Sequence, residues 1–321
     1  MQNRMVVAIV GDVNSSRALE LAQKAFDANF DGVQGFLDLN NDGLQDENEP
    51  DEPSVPTALD GYFVIDLAEE FDLDASGEIE PDEGRFVLVG GTDSSTGIPW
   101  TTRLAAVPGH FAVTPLTTLV ESLVRLQGLT LEAAETRVTE AFGLSGVGLA
   151  TFDPLQGVAE GNANAALAYL AHVEMYNTVI QLASLFVGAS PYLPMDTVAE
   201  AIYADLSQRI AAPDSALNLT LPSVVGDIIR GVAARSGASV PEATVEGAAD
   251  IIAAGNLAVR SLVDTNSETL VVDPDLAESV VRAKKVMQGQ AATALGQVGA
   301  GTLSIEDAVA GFTGAALEAK I

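Results

Sequence analysis

Two stretches of the chain space oxygen-bearing side chains as a hard divalent cation requires. Residues 38–49 read DLNNDGLQDENE. They place Asp38, Asn40 and Asp42 at positions 1, 3 and 5 of a twelve-residue loop, with Gly43 at 6, Asp46 at 9 and Glu49 at 12. Alternate side chains converge on one point, and Leu44 at position 7 offers only its carbonyl. The glycine permits a sharp turn, and the final glutamate closes the shell with two oxygens. Residues 72–83, DLDASGEIEPDE, repeat the scheme. Asp72, Asp74 and Ser76 fill positions 1, 3 and 5, Gly77 sits at 6, Glu78 supplies the carbonyl at 7, and Glu80 and Glu83 stand at 9 and 12. Ile79 at position 8 is the expected apolar anchor. The competing reading is a pair of merely solvated acidic loops. Glycine at 6 and glutamate at 12 in both loops favour the ion. The pattern predicts two calcium sites; magnesium, which seldom uses an all-protein cage of this size, fits less well. A poorer third match, Asp27, Asn29 and Asp31, would end on Asp38, which the next loop already uses. A tight turn entering a strand explains it better.

The elements that position these loops are not the helix pair of a calcium switch. Val33–Leu37 leads into the first loop, and Pro50 directly follows Glu49, so no helix continues out of it. Residues 61–66 (GYFVID) alternate as a strand does, and 85–89 (RFVLV) read as another. The loops are therefore expected to be staples on a β scaffold.

Val33–Asp66 resembles the calcium-stapled B-type repeats of large secreted bacterial surface adhesins. These are prealbumin-like β-sandwich modules, in which a strand G-x-[VF]-[FL]-x-D enters D-x-N-x-D-G-x-x-D-x-x-E-P and a later turn opens the next strand. Gly35, Phe36, Asp38, Asn40, Asp42, Gly43, Asp46, Glu49 and Pro50 match the first part, and Asp60, Gly61 and Phe63 the second. The resemblance implies calcium at Asp38, Asn40, Asp42, Asp46 and Glu49, and a stiff extracellular or cell-surface module. It covers about 35 of 321 residues. The second loop and residues 90–120 depart from the compact repeat.

The remaining composition narrows the function class. Forty-five acids against fifteen Lys and Arg give a formal charge of −30, and 22 of those acids, with only four bases, fall in the first 100 residues. Such a field repels phosphate backbones and anionic bilayers, which argues against a nucleic-acid partner or membrane insertion. With no cysteine there is no disulfide, thiolate nucleophile or cysteine-based zinc site. Two histidines leave little room for a histidine triad, and neither a nucleophile elbow nor a phosphate loop is present. No enzymatic role is expected. A carboxylate-based hydrolase is the weakest alternative, because sequence does not say which acids converge. Met5–Val10 is too short for the apolar region of a secretory signal, and the chain is read as a segment of a larger one.

Near Pro115 the texture changes from Gly- and Asp-rich strands to Ala-rich helical periodicity. Thr114-Pro115 is a capped helix start that Gly128 ends; Thr130–Phe142 follows, stopped by Gly143. From Asn162 to Val187 the chain is apolar on nearly every face, as the central helix of a bundle would be. Further helices are expected at 197–211, 222–235, 241–263, 274–298 and 304–319. His172 and His110 read as core residues, Arg282, Lys284 and Lys285 as a solvated helix face, and Trp100 as an anchor between halves. The expected fold is α+β: a calcium-stapled β-sandwich-like domain over 1–113, with a short helix at about 15–26, then an all-α bundle over 114–321. The expected function is a calcium-binding structural or adhesive segment. The alternative is a self-assembly module, or one that docks neighbouring domains through its helical half.

Overall fold

The structure, a computed structural model, describes residues 5–6, 23–25, 30–31, 33–45, 52–56, 62–63, 65–67, 71–74, 76, 79–93, 95–110, 112–144, 146–149, 162–263 and 276–321. Four strands, β1 (Gln34–Asp38), β2 (Ser54–Pro56), β3 (Arg85–Val89) and β4 (Leu104–Ala106), form an antiparallel sheet in the order β4-β3-β1-β2. The register sets Asp38 opposite Arg85 and Gln34 opposite Val89. The remaining pairings are short: Met5–Val6 with Asp66–Leu67, Phe30–Asp31 and Ile98–Pro99 on either side of Thr92–Asp93, and Gln23–Ala25 between Ala112–Val113 and Tyr62–Phe63.

The helices follow their sequence signals closely. Helix α1 (Pro115–Gln127) opens with a capping box between Thr114 and Thr117 and closes on Gly128 in the left-handed region. Helix α2 is Leu131–Phe142, capped by Thr130. Helix α3 (Ala163–Ala189) is buried along almost its whole length, as a helix apolar on every side must be. Around it run α4 (Met195–Ile210), α5 (Pro222–Ser236) and α6 (Glu242–Arg260). Next come α7 (Leu276–Lys284), a π-helical segment at Lys285–Ala291, and α8 (Ala292–Gly299). Two short helices, α9 (Ile305–Phe312) and α10 (Gly314–Glu318), complete the set.

The expectation of a β-sandwich domain followed by a bundle is overturned. Among the described residues helix far outweighs strand, and the sheets are small, none wider than four strands. The physical reason lies in what the strands bury. A sandwich closes two sheets on a core of their own. Here Leu37, Phe86, Leu88, Leu104 and Ala106, on one face of the sheet, belong to the same apolar cluster as Tyr169, Leu170, Val173 and Tyr176 of α3. Phe36, Val87 and Ala105, on the other face, form a small cluster of their own, and the Ala105 N–H donates to Thr118 Oγ1 of α1 (2.9 Å). The strands thus complete a helical core. Trp100 is buried and stacks on Tyr176 with ring centroids 3.7 Å apart, so it is an anchor between strand-rich and helical segments.

Two smaller expectations also change. Within the helix expected at about 15–26, Gln23–Ala25 is instead a strand, which pairs in parallel with Ala112–Val113; residues 15–22 and 26 lie outside the described residues. Lys284 is no solvated residue: it is fully buried, with its Nζ 2.7 Å from Asp93 Oδ2. Arg282 does lie on an exposed face, paired with Glu278.

Candidate metal centre

The second acidic loop brings its carboxylates together. Asp72, Asp74, Glu80 and Glu83 each offer an oxygen, and these oxygens all lie within 4.8 Å of one another. Local hydrogen bonds hold them there. The Ser76 N–H donates to Asp72 Oδ1 (3.0 Å) and Asp74 Oδ1 (2.9 Å), and the Ser76 hydroxyl donates to Glu80 Oε1 (2.7 Å). Glu83 accepts the N–H of Leu73 on Oε1 (2.5 Å) and that of Glu80 on Oε2 (2.9 Å). Ile79 is buried in the core cluster, the anchoring part its position predicts. Gly77 and Glu78 lie outside the described residues.

The charges in this cluster oppose one another. A hydrogen bond from Ser76 favours ionised Glu80, but the hydrogen bond it shares with Glu83, burial and the charges of Asp74 and Glu83 outweigh it, raising the Glu80 pKa. For Glu83, burial works against ionisation. The hydrogen bonds from the Glu80 N–H and carboxyl and from the Leu73 and Asp74 N–H groups prevail, holding its pKa below the usual carboxylate value. Four converging carboxyl groups, one of them biased toward its protonated form, fit a divalent cation, whose charge would relieve the repulsion that raises Glu80.

In the first loop the turn is formed as the motif requires. The Asp42 N–H donates to Asn40 Oδ1 (2.9 Å), that of Gly43 to Asp38 Oδ2 (2.8 Å) and that of Leu44 to Asp42 Oδ1 (2.7 Å). Asn41 and Gly43 both take positive φ, 62° and 76°. Gly43 has a second reason to be glycine, because an added Cβ would lie 2.1 Å from Arg103 Nη1. Asp38 has no exposed surface; its Oδ2 also takes Arg85 Nε (2.8 Å), and its Oδ1 has no hydrogen-bond partner among the described residues. A buried carboxylate oxygen without a donor is costly, and a cation is one way to satisfy it. Asp46 and Glu49 lie outside the described residues, as do Asp27 and Asn29 of the third match. The backbone of Asp31 pairs with Thr92 in a strand.

Sequence reasoning missed the arginines and one glutamate. Arg85 bridges Asp38 and Glu121 of α1 (Nη1–Oε1 3.2 Å) and donates to the Asn41 carbonyl (3.3 Å). Arg103 donates to the Gly43 carbonyl and pairs with Asp196 (3.5 Å) and Glu200 (3.3 Å) of α4. The loop is thereby clamped to the helices from two sides. Only the rarity of bases among the first 100 residues could have drawn attention to Arg85. Glu52 is buried and its Oε1 accepts the Leu39 N–H (2.7 Å); a second Glu-Pro pair, one residue after Glu49-Pro50, is its one mark in the sequence. His110 contacts Glu135 (3.0 Å), and burial brings the His172 pKa down to about 3.

No family model, curated protein or solved structure matches the chain.

Proposed function

We propose that this chain is a calcium-binding structural segment of a secreted or cell-surface protein, in which ions fasten two acidic loops to a helical scaffold. The observation that carries the reading is the convergence of Asp72, Asp74, Glu80 and Glu83 on a space one ion wide. Asp38 Oδ1, partnerless among the described residues, supports a second site in the loop at 38–49. The resemblance of Val33–Asp66 to adhesin repeats supports the extracellular setting and an adhesive context. Sites of this kind in extracellular modules work at about 10⁻⁴–10⁻³ M calcium.

The physical role is linkage. An ion held by the folded loops, and not by the open chain, adds about 2.7 kcal/mol per site at free calcium a hundredfold above the dissociation constant. Without it, the carboxylates of each loop repel. Arg85 and Arg103 transmit the order of the first loop to α1 and α4, so ion binding stiffens the contact between the strand-rich and helical segments. Thermal unfolding followed by circular dichroism, in chelator and in about 10 mM calcium, roughly tenfold above the weakest such sites, tests this. A rise of several degrees is expected with calcium, and coincident melts would overturn the proposal.

A further inference from the structure

We propose that a cavity between α3, the π-helical segment and residues 96–101 binds a small carboxylate with an apolar body. The cavity measures about 890 Å³ and is open to solvent, a size within the range of small-molecule sites. Ile98 and Pro99, Ile180 and Val187 of α3, and Met195 at the start of α4 supply apolar walls. None of the acidic-loop residues lines it. Helix packing accounts for its place. Helices α3 and α8 touch where Gly188 meets Gly296, and both glycines line the cavity. Earlier along the same two elements, Gln288 of the π-helical segment reaches across to Asn177 Oδ1 of α3 (2.9 Å).

Two observations point to an occupant. The first is the π-helical segment itself. Such turns are rare and concentrate at functional sites, and four of the seven residues here, Lys285, Gln288, Gly289 and Gln290, line the cavity. The second is the chemistry of the lining. The chain holds 45 acids, yet among the described residues no acid lines the cavity and Lys285 is its one charged group. Lys284 is committed to Asp93, whereas Lys285 is exposed and forms no ion pair with the described residues. Gln288 is 5% exposed and gives one amide N–H to Asn177, which leaves its second N–H for an occupant. Thr96 Oγ1 already accepts the Ile98 N–H (3.2 Å), so its own hydrogen is left to donate. Hydrogen-bond donors and one positive charge beside apolar walls fit an acceptor that carries negative charge. The acidic field of the chain opposes polyanions, so a single carboxylate fits best.

Trp100, the single tryptophan, stands between the lining residues Pro99 and Thr101, so its fluorescence can report occupancy. Decanoate and the neutral decanol are titrated into the full chain, with calorimetry as a second readout. Decanoate is expected to bind saturably with a Kd below about 1 mM, and decanol at least about tenfold more weakly for want of the charged contact. Lys285→Met weakens decanoate by about tenfold and leaves decanol within about twofold, whereas Lys285→Arg keeps the preference for decanoate. Thr293→Phe, at an exposed lining position, fills the cavity and weakens both. Far-ultraviolet circular dichroism checks that each variant folds. Decanol binding as tightly as decanoate, decanoate binding unchanged in Lys285→Met, or no decanoate binding at about 1 mM would each overturn the proposal.

Discussion

Replacing Arg85 by methionine tests the link between the acidic loop and the helices. Arg85 is almost fully buried, as are the two acids it bridges, Asp38 and Glu121. Breaking a buried ion pair by removing one partner leaves an uncompensated charge and costs about 3–5 kcal/mol. Here the two acids fare differently. Glu121 keeps Arg125, whose Nε is 2.5 Å from its Oε1, whereas Asp38 keeps only the Gly43 N–H on Oδ2. The loss therefore falls mainly on one carboxylate, and in chelator Arg85→Met is expected near the lower end, about 3 kcal/mol. Adding Asp38→Asn removes the stranded charge and returns about half of it. With saturating calcium the cost of the single variant shrinks, because the ion supplies the missing positive charge. Urea unfolding of the three proteins, with and without calcium, reads all of this. A loss below about 1 kcal/mol, the range of an exposed pair, would refute the reasoning. So would a double variant no more stable than Arg85→Met.

Two further substitutions probe the scaffold. His172 is buried and its pKa lies at about 3, against an ordinary 6.5, because desolvation disfavours the imidazolium. Below pH 6.5 the unfolded chain takes a proton that the folded chain refuses, so stability falls with pH across the window from 6.5 down to about 3. Between pH 6.5 and 5 this amounts to about 2 kcal/mol, a slope that His172→Gln removes in urea melts at the two pH values. Gly188 of α3 lies so close to α8 that an added Cβ would sit 2.1 Å from the Gly296 carbonyl oxygen. Gly188→Ala should destabilise by about 1–3 kcal/mol through overpacking. Gly311→Ala in α9, where nothing lies within 4 Å, should stabilise by about 0.5–1 kcal/mol; thermal melts compare the two.

The helices were legible because their signals are local. Thr114-Pro115, Gly128 and Gly143 act within a few residues, and the unbroken apolar run of α3 states its own burial. The carboxylate spacing of the second loop was legible for the same reason, since Asp72 and Glu83 need only the intervening turn to meet. What the strands pack against was not. The run Arg85–Val89 reads as a strand, but does not say that one of its faces packs on α3. Lys284 looked like one of three solvated bases because its partner, Asp93, stands far away in the chain. Its ion pair has a measurable chemical basis: burial alone would raise the Asp93 pKa, but the charge and hydrogen bond of Lys284, with bonds from Ser95 and Thr96, bring it below its ordinary value. Glu52 escaped notice because a motif counts residues along a loop, whereas the β1–β2 ladder carries Glu52 to the Leu39 N–H.

The central claim is that Asp72, Asp74, Glu80 and Glu83 form a calcium site, and calorimetric titration of the chelator-stripped chain against Asp72→Asn/Glu83→Gln tests it most directly. The account predicts saturable calcium binding by the unmodified chain, with one site fewer in the double variant and an unchanged far-ultraviolet circular dichroism spectrum. Equal binding by the two proteins, or none by either at millimolar calcium, would contradict it.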